Sequence, residues 1–415
     1  MTAVAPPRVE PPGRWALLTA MSIAVLLVLG TWFSGSAVAP ALVAEWRIDA
    51  IGVATLTVAV QVGFAVSALV LAALGAPDVV PARWLMAAGA LVATLANAGF
   101  ALAADDLAGA LPFRFLTGAG IAAVYPVGMK VLAGWFDRER GLAVGTLIAA
   151  VTLGSALPHL LRAAGVLVAA DWRSVILAAS VGSGIGALIC AVAVRDGPYS
   201  VPAARFSPAV AMAALRVASV RLANLGYLGH MWELFAMWSW VPLFLAASLA
   251  ASGVHDDGLA SLAAFVVVGS GAIGCIIAGA LADRLGRTTV TIAAMAVSGS
   301  CALVTGLLFG AWPIAVLALS VAWGITVVAD SAQFSTAVSE LSPPGTAGSA
   351  LTVQTAAGFL LTSITIWGVS LLGPDNPGGW RIAFGLLALG PLVGIWAMWR
   401  LRRQPDATLM ASGRR

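Results

Sequence analysis

The chain has 415 residues, of which 60% are hydrophobic and only 10% are charged. Its mean hydropathy is +0.98. Soluble domains average about 25% charged residues, so this chain lacks the polar surface to cover a water-facing fold; intrinsic disorder, collagen and a disulfide-rich secreted scaffold are excluded with it. The net charge of +4 fits basic loops beside a membrane and does not call for nucleic acid.

A membrane-crossing helix needs about 20 predominantly apolar residues. Twelve segments qualify: 15–38, 48–74, 83–104, 109–133, 141–163, 173–194, 218–247, 259–281, 288–309, 312–336, 347–372 and 380–400. The expected fold is an all-α integral membrane protein of twelve transmembrane helices in two pseudo-symmetric six-helix bundles. The chain divides into a tail 1–14, a first bundle 15–194, a linker 195–217, a second bundle 218–400 and a tail 401–415. The linker carries Arg195, Pro198, Pro202, Arg205, Pro208 and Arg216. No stretch outside the helices is long enough for a soluble domain.

With the N-terminus inside, sixteen of the 22 Lys and Arg fall on the inner side, among them Arg8, Arg14, Arg83, Arg138, Arg205, Arg284, Arg287 and Arg415. Four fall outside: Arg47, Arg162, Arg173 and Arg381. Acidic residues split evenly. This bias in basic residues places both termini in the cytoplasm, and the expected location is a cell membrane, the inner membrane of a bacterium. Trp46, Trp84, Trp135, Trp172, Trp312 and Trp380 stand near span ends and read as interfacial anchors. Cys190, Cys275 and Cys301 lie in apolar runs with no metal spacing, as buried thiols do.

The halves repeat. GAPDVVPAR after span 2 matches GALADRLGR after span 8, which sets Asp78 on Asp283, 205 residues apart. RGLAVGTL in span 5 matches AGSALTVQ in span 11 and sets Gly141 on Gly348, 207 apart. Near-equal offsets indicate a duplicated six-helix unit.

The loop Gly279 to Arg287 resembles the G-x-L-a-D-r-x-G-r motif of the major facilitator superfamily, with every key position present. The first-half copy keeps Gly75, Asp78 and Arg83 and lacks the second glycine. RFLTGAG, from Arg114 to Gly120, is similar to the family's R-x-x-x-G motif on helix 4. GTLIAAVTLGSALP, from Gly145 to Pro158, is similar to its glycine- and proline-bearing helix 5 motif without the Gly-Pro pair. The resemblance implies a secondary transporter in which helices 1, 4, 7 and 10 line a central cavity and the halves rock about it. It also implies cytoplasmic gating contacts at Asp78, Arg83, Asp283, Arg284 and Arg287 that hold the outward-open state. A nitrate-type member would carry arginines on helices 2 and 8; here span 2 offers Gln61, and span 8 carries no charge.

An ionisable residue inside a bilayer costs about 2.5–3.5 kcal/mol, so it marks function by default. Arg114, Lys130, His230, Glu233 and Asp330 lie well inside spans 4, 4, 7, 7 and 10, all on helices that the resemblance assigns to the cavity. Glu233 is about fifteen residues into its span, ~22 Å along the helix and close to the midplane. It shares a stripe with Gly226, His230, Met237 and Trp240, and a carboxylate there suits reversible protonation, with His230 as relay. The alternative is a Glu that only hydrogen-bonds between helices. Arg114, on one face with Gly118 and Tyr125, can grip an anion or latch the backbone. Lys130 and Asp330 can pair across the halves as an inner gate, or Lys130 can snorkel to the interface. Trp32, Tyr125, Tyr227, Trp240 and Trp323 would suit a cavity for a partly apolar solute. GSGAIG (269–274) and GSGIG (182–186) sit in mid-helix without a preceding strand and read as close-packing sites rather than nucleotide loops.

The sequence therefore predicts a monomeric permease that moves a small organic solute, in one version an anion, coupled to protons, with no cofactor or metal. A polytopic enzyme would need clustered His or acidic residues near one interface, and the chain has only His159, His230 and His255. A transporter-like sensor would need an added signalling segment.

Overall fold

The computed structural model describes residues 11–136, 139–167, 171–199, 206–372 and 376–414. Of the residues used above, Arg8, Arg138, Pro202, Arg205 and Arg415 lie outside that set. The described residues are helical throughout, with no strand. The first six spans are α1 (Arg14–Leu29) with α2 (Ser34–Ala37) and α3 (Ala39–Trp46); α4 (Ala50–Ala73), followed by the short α5 (Ala76–Val79); α6 (Ala82–Ala103); α7 (Leu107–Ala122) with α8 (Tyr125–Trp135); α9 (Arg140–Leu167); and α10 (Trp172–Ala193). After the linker helix α11 (Pro208–Arg216) come α12 (Ala218–Ala251); α13 (Asp257–Gly269) with α14 (Gly271–Leu285); α15 (Arg287–Leu307); α16 (Pro313–Val327) with α17 (Ser331–Leu341); α18 (Ala347–Leu371); and α19 (Pro377–Leu387) with α20 (Leu389–Arg402). Eleven spans are long and apolar enough to cross a membrane, and α1 is a shorter twelfth.

Helix starts on the face opposite the chain ends are capped by short polar side chains. Asp49, Asp106, Asp256 and Asn376 each accept a bond from the backbone N–H three residues on. These caps satisfy orphan amide groups that the bilayer cannot hydrate.

The duplication is visible in backbone geometry. Span 4 breaks at Ala123 and Val124 and span 10 at Val328 to Asp330. Four or five residues before each break stands a glycine. A Cβ on Gly118 would overlap the carbonyl oxygen of Val60, and one on Gly324 would overlap that of Val267. The same helix contact thus recurs in each half. Between the halves, α4 packs on α18 and α9 packs on α13 and α14. Gly145 sits against the Cys275 carbonyl, and Gly279 against that of Gly141.

Three expectations change. The first span is not one helix over 15–38: it breaks at Gly30–Phe33 because the Thr31 and Trp32 carbonyls turn aside to Arg114. The linker and the C-terminal tail contain α11, capped by Ser207, and a 3-10 segment Pro405–Gly413 whose Ala407 and Met410 are buried. Trp172 and Trp380 are not interfacial anchors. Trp172 packs edge-on to Trp46 and donates to Glu45 at 2.7 Å, and Trp380 is buried against Phe244 and Phe384. Trp84 and Trp312 are exposed, as anchors are. The three cysteines are free and buried.

Gly118→Ala or Gly324→Ala places a methyl group on backbone that cannot move aside, and overpacking of this kind costs about 1–3 kcal/mol. Thermal unfolding of the purified protein is expected to shift down by several degrees for either variant. Gly348→Ala, where a Cβ meets open space, is expected to leave the midpoint unchanged.

Candidate functional site

A cavity of about 700 Å³ lies between the two halves. Its walls come from the ends of α4, α8, α9, α14, α17 and α18 nearest the chain termini, so it opens on that face. Ala68 on α4, Ala122 at the end of α7 and Thr355 on α18 are its deepest residues along those helices. One turn deeper on two of them, Phe64 and Phe359 meet with ring centroids 4.2 Å apart. Those rings form the floor.

Behind that floor the halves are joined by aromatic contact. Trp32 of the first half meets Phe235 and Phe359 of the second at 5.6 and 5.4 Å. Phe33 meets Phe235 at 6.1 Å and Trp238 at 5.9 Å. Farther out, Trp367 Nε1 donates to Thr55 Oγ1 at 3.2 Å across the same joint. The molecule is open at one end and plugged at the other. Of these rings the sequence singled out Trp32 for the cavity. Phe33, Phe64, Phe235 and Phe359 were missed because a phenylalanine in an apolar helix carries no signal of which way it points.

Arg114 does not face the cavity. It is buried, and Nη1 donates to the Thr31 carbonyl (3.1 Å), Ser34 Oγ (3.1 Å) and Asn97 Oδ1 (3.0 Å), while Nη2 donates to the Trp32 carbonyl. The guanidinium fork matches this set of oxygens. It pins the break in span 1 to spans 3 and 4, which is the backbone-latch alternative. Gly35 has room for no large side chain beside it.

The Lys130–Asp330 gate is not formed. Lys130 bonds Asp78 and the Pro77 carbonyl, and Asp330 pairs with His230. Each charge finds a partner inside its own half, which it reaches without crossing the open cavity. His230 Nδ1 lies 2.9 Å from Asp330 Oδ1, but off the line of a good hydrogen bond, and His230 Nε2 has no partner.

Glu233 lies off the cavity wall, inside the second bundle between α12, α15 and α16. Trp323 Nε1 donates to its Oε1 at 2.7 Å, and Ser298 Oγ donates to its Oε2 at 2.9 Å. Trp240 also turns into that bundle and donates to the Ile366 carbonyl at 3.0 Å. Tyr125 opens α8, and Tyr227 packs against Gly358 and, edge-on, Phe334.

The loop residues behave unequally. Arg287 binds Glu340 twice at 2.7 Å and Gln333 at 2.9 Å, all within its own half. Asp283 alone reaches across: its carboxylate sits against Gly141 at the start of α9, where the helix dipole favours a negative charge. Arg284 is exposed, and Arg83 stacks on Trp84 at 4.9 Å. Since the cavity is open on this face, the loop does not here hold the outward-open state that the motif suggested. No cluster of metal ligands exists among the described residues.

Two helical bundles around a cavity that is open at one end and plugged at the other are the architecture of a membrane transporter. Residues 20–366 match the model of the Major Facilitator Superfamily, and the chain belongs to that family. Among solved structures it is similar to a D-xylose-proton symporter (TM-score 0.72, 15% identity, covering 95% of this chain and 99% of that one). It is also similar to an inward-facing, unoccupied bacterial homolog of the human lysosomal transporter Spinster (0.70, 14%, 95% and 98%). A third is the nucleoside transporter NupG (0.70, 13%, 94% and 99%). At these identities the likeness establishes the fold. No curated protein matches the sequence. The protein is thus a multi-pass secondary transporter of that family.

Arg114→Lys keeps the charge and loses the fork, leaving buried oxygens unpaired at about 1–3 kcal/mol for each group. The expected result is a clear fall in melting temperature together with loss of transport.

Proposed function

We propose that the chain is a proton-coupled permease that carries a small organic solute by alternating access, as a monomer in a bacterial inner membrane. The basic bias of the loops puts the open face toward the cytoplasm, so the conformation described is inward-facing. The observation that carries this reading is the cavity between the halves, open at that face and closed by aromatic contact between halves at the other. The anion version rested on Arg114, whose guanidinium is spent on carbonyl oxygens, and it is not carried forward.

Proton coupling is supported by the buried acids of the second bundle. Asp330 sits at the break between α16 and α17, one turn before Gln333 on the cavity wall. It pairs with His230, which is one turn from Glu233 on α12. Both protonation states of Glu233 can be satisfied where it lies. As a carboxylate it accepts from Trp323 and Ser298. Once Oε2 is protonated, the Ser298 hydroxyl can accept instead, and its own hydrogen turns to the Met295 carbonyl, 3.3 Å away. Trp323 is a donor only and continues to serve Oε1. A neutral Glu233 lets the bundle cross the occluded state without an uncompensated charge.

Two measurements test this. Ala68→Cys on the cavity wall and Thr57→Cys on the same α4 stripe beyond the plug are expected to label from opposite faces, and in alternation as solute is added. Fixed labelling in both would end the alternating-access reading. Glu233→Gln is expected to cut pH-gradient-driven accumulation in proteoliposomes at least tenfold while equilibrium exchange persists. Full gradient-driven uptake by that variant would leave Glu233 a structural hydrogen-bond partner.

A further inference from the structure

The six ionisable side chains that border the cavity are Asp78, Lys130, Glu139, Asp283, Arg287 and Glu340. All stand at its mouth, and each has an opposite charge beside it. Lys130 is held by Asp78, Arg287 by Glu340, and Glu139 by Arg14 at 2.6 Å, while Asp283 lies 3.9 Å from Arg287. Among the described residues, the lining holds no other ionisable group. A charged solute that left its water there would meet no free counter-charge, and desolvating an unpaired ion is costly.

The rest of the lining offers two unlike walls. The first half supplies aliphatic surface, including Ala68, Leu71, Ala122 and Val127. The second half supplies hydroxyls from α17 and α18. Ser335 and Ser339 follow one another by a turn, and Thr352 and Thr355 face them from the next helix. Thr352 donates back to the Gly348 carbonyl and keeps its lone pairs free. Ser335, Ser339 and Thr355 make no hydrogen bond among the described residues. Beside Thr355, the buried carboxamide of Gln354 has neither its oxygen nor its nitrogen paired. Unpaired polar groups are rare in native interiors and call for a partner. A carboxamide and hydroxyls offer both donors and acceptors without charge.

We propose that the solute is an uncharged organic molecule with an apolar face and a hydroxyl- or amide-bearing edge, the edge read by Ser335, Ser339 and Thr355, with Gln354 buried behind Thr355. This rests on the transporter reading above and names its substrate class. A volume of about 700 Å³ accommodates such a solute with its ring or chain against α4 and α8.

The test uses purified full-length protein and four probes that share a nitrophenyl ring. They are 4-nitrophenyl β-D-glucoside (uncharged, with a hydroxyl edge), 4-nitrophenyl sulfate (anionic), 4-nitrobenzyl-trimethylammonium (cationic) and 4-nitroanisole (uncharged, no hydroxyl edge). Calorimetric titration is expected to give the glucoside at least tenfold tighter binding than the other three. The combined Ser335→Ala, Ser339→Ala and Thr355→Val variant is expected to weaken the glucoside at least fivefold with an unchanged melting temperature and unchanged 4-nitroanisole binding. The proposal is overturned if the sulfate or the ammonium probe matches the glucoside, if the glucoside does not bind, or if the triple variant binds it normally. Alternating label access at Ala68→Cys and Thr57→Cys separates the two readings: if it persists while a charged probe wins, transport stands and the substrate class falls.

Discussion

A charge buried in a bilayer must keep its counter-group with it, and in this protein the counter-group is found within the same half. Arg114 is held by the broken turn of span 1 and by Asn97, Lys130 by Asp78, and Arg287 by Glu340 and Gln333, while His230 and Asp330 lie beside each other. An unpaired ion at that depth costs several kcal/mol, so these pairings make each bundle electrostatically self-contained. The halves can then move relative to one another without separating a desolvated ion pair.

What joins the halves follows from the same constraint. The joint is made of rings, glycines and aliphatic surface: Trp32, Phe33 and Phe64 against Phe235, Trp238 and Phe359 at one end, and Gly141 and Gly145 against Cys275 and Gly279 toward the other. Contacts of this kind are individually weak and non-directional, and each can be exchanged for a similar one after a rotation. Asp283 is the exception, a carboxylate of one half resting on the helix start of the other.

Inside the second bundle, Glu233 illustrates how a polar group can be buried with its hydrogen bonds made. Its partners are one fixed donor, the Trp323 indole, and one hydroxyl that can reverse its role, that of Ser298. Reversal needs only a rotation about the Cβ–Oγ bond, with the Met295 carbonyl ready to accept. The cavity wall lies elsewhere, on α17 and α18, so Glu233 is set back from it inside the bundle.

The sequence by itself determined the twelve spans, their boundaries to within a few residues for most, and the duplication, because hydropathy and repeat offsets are local properties of the chain. It also marked the five intramembrane ionisable residues, since their cost in a bilayer does not depend on where they point. Their partners could not be read from it. Lys130 chose Asp78 over Asp330, and Arg114 chose carbonyl oxygens over a solute, because a partner depends on which faces of distant helices are brought together. The break in span 1, the inward turn of Trp172 and Trp380 and the aromatic floor at Phe64 and Phe359 were hidden for the same reason. A helix 3.6 residues per turn shows its faces to any reader of the sequence, but in a lipid solvent every face is apolar, and only packing distinguishes the side that meets lipid from the side that meets the other half.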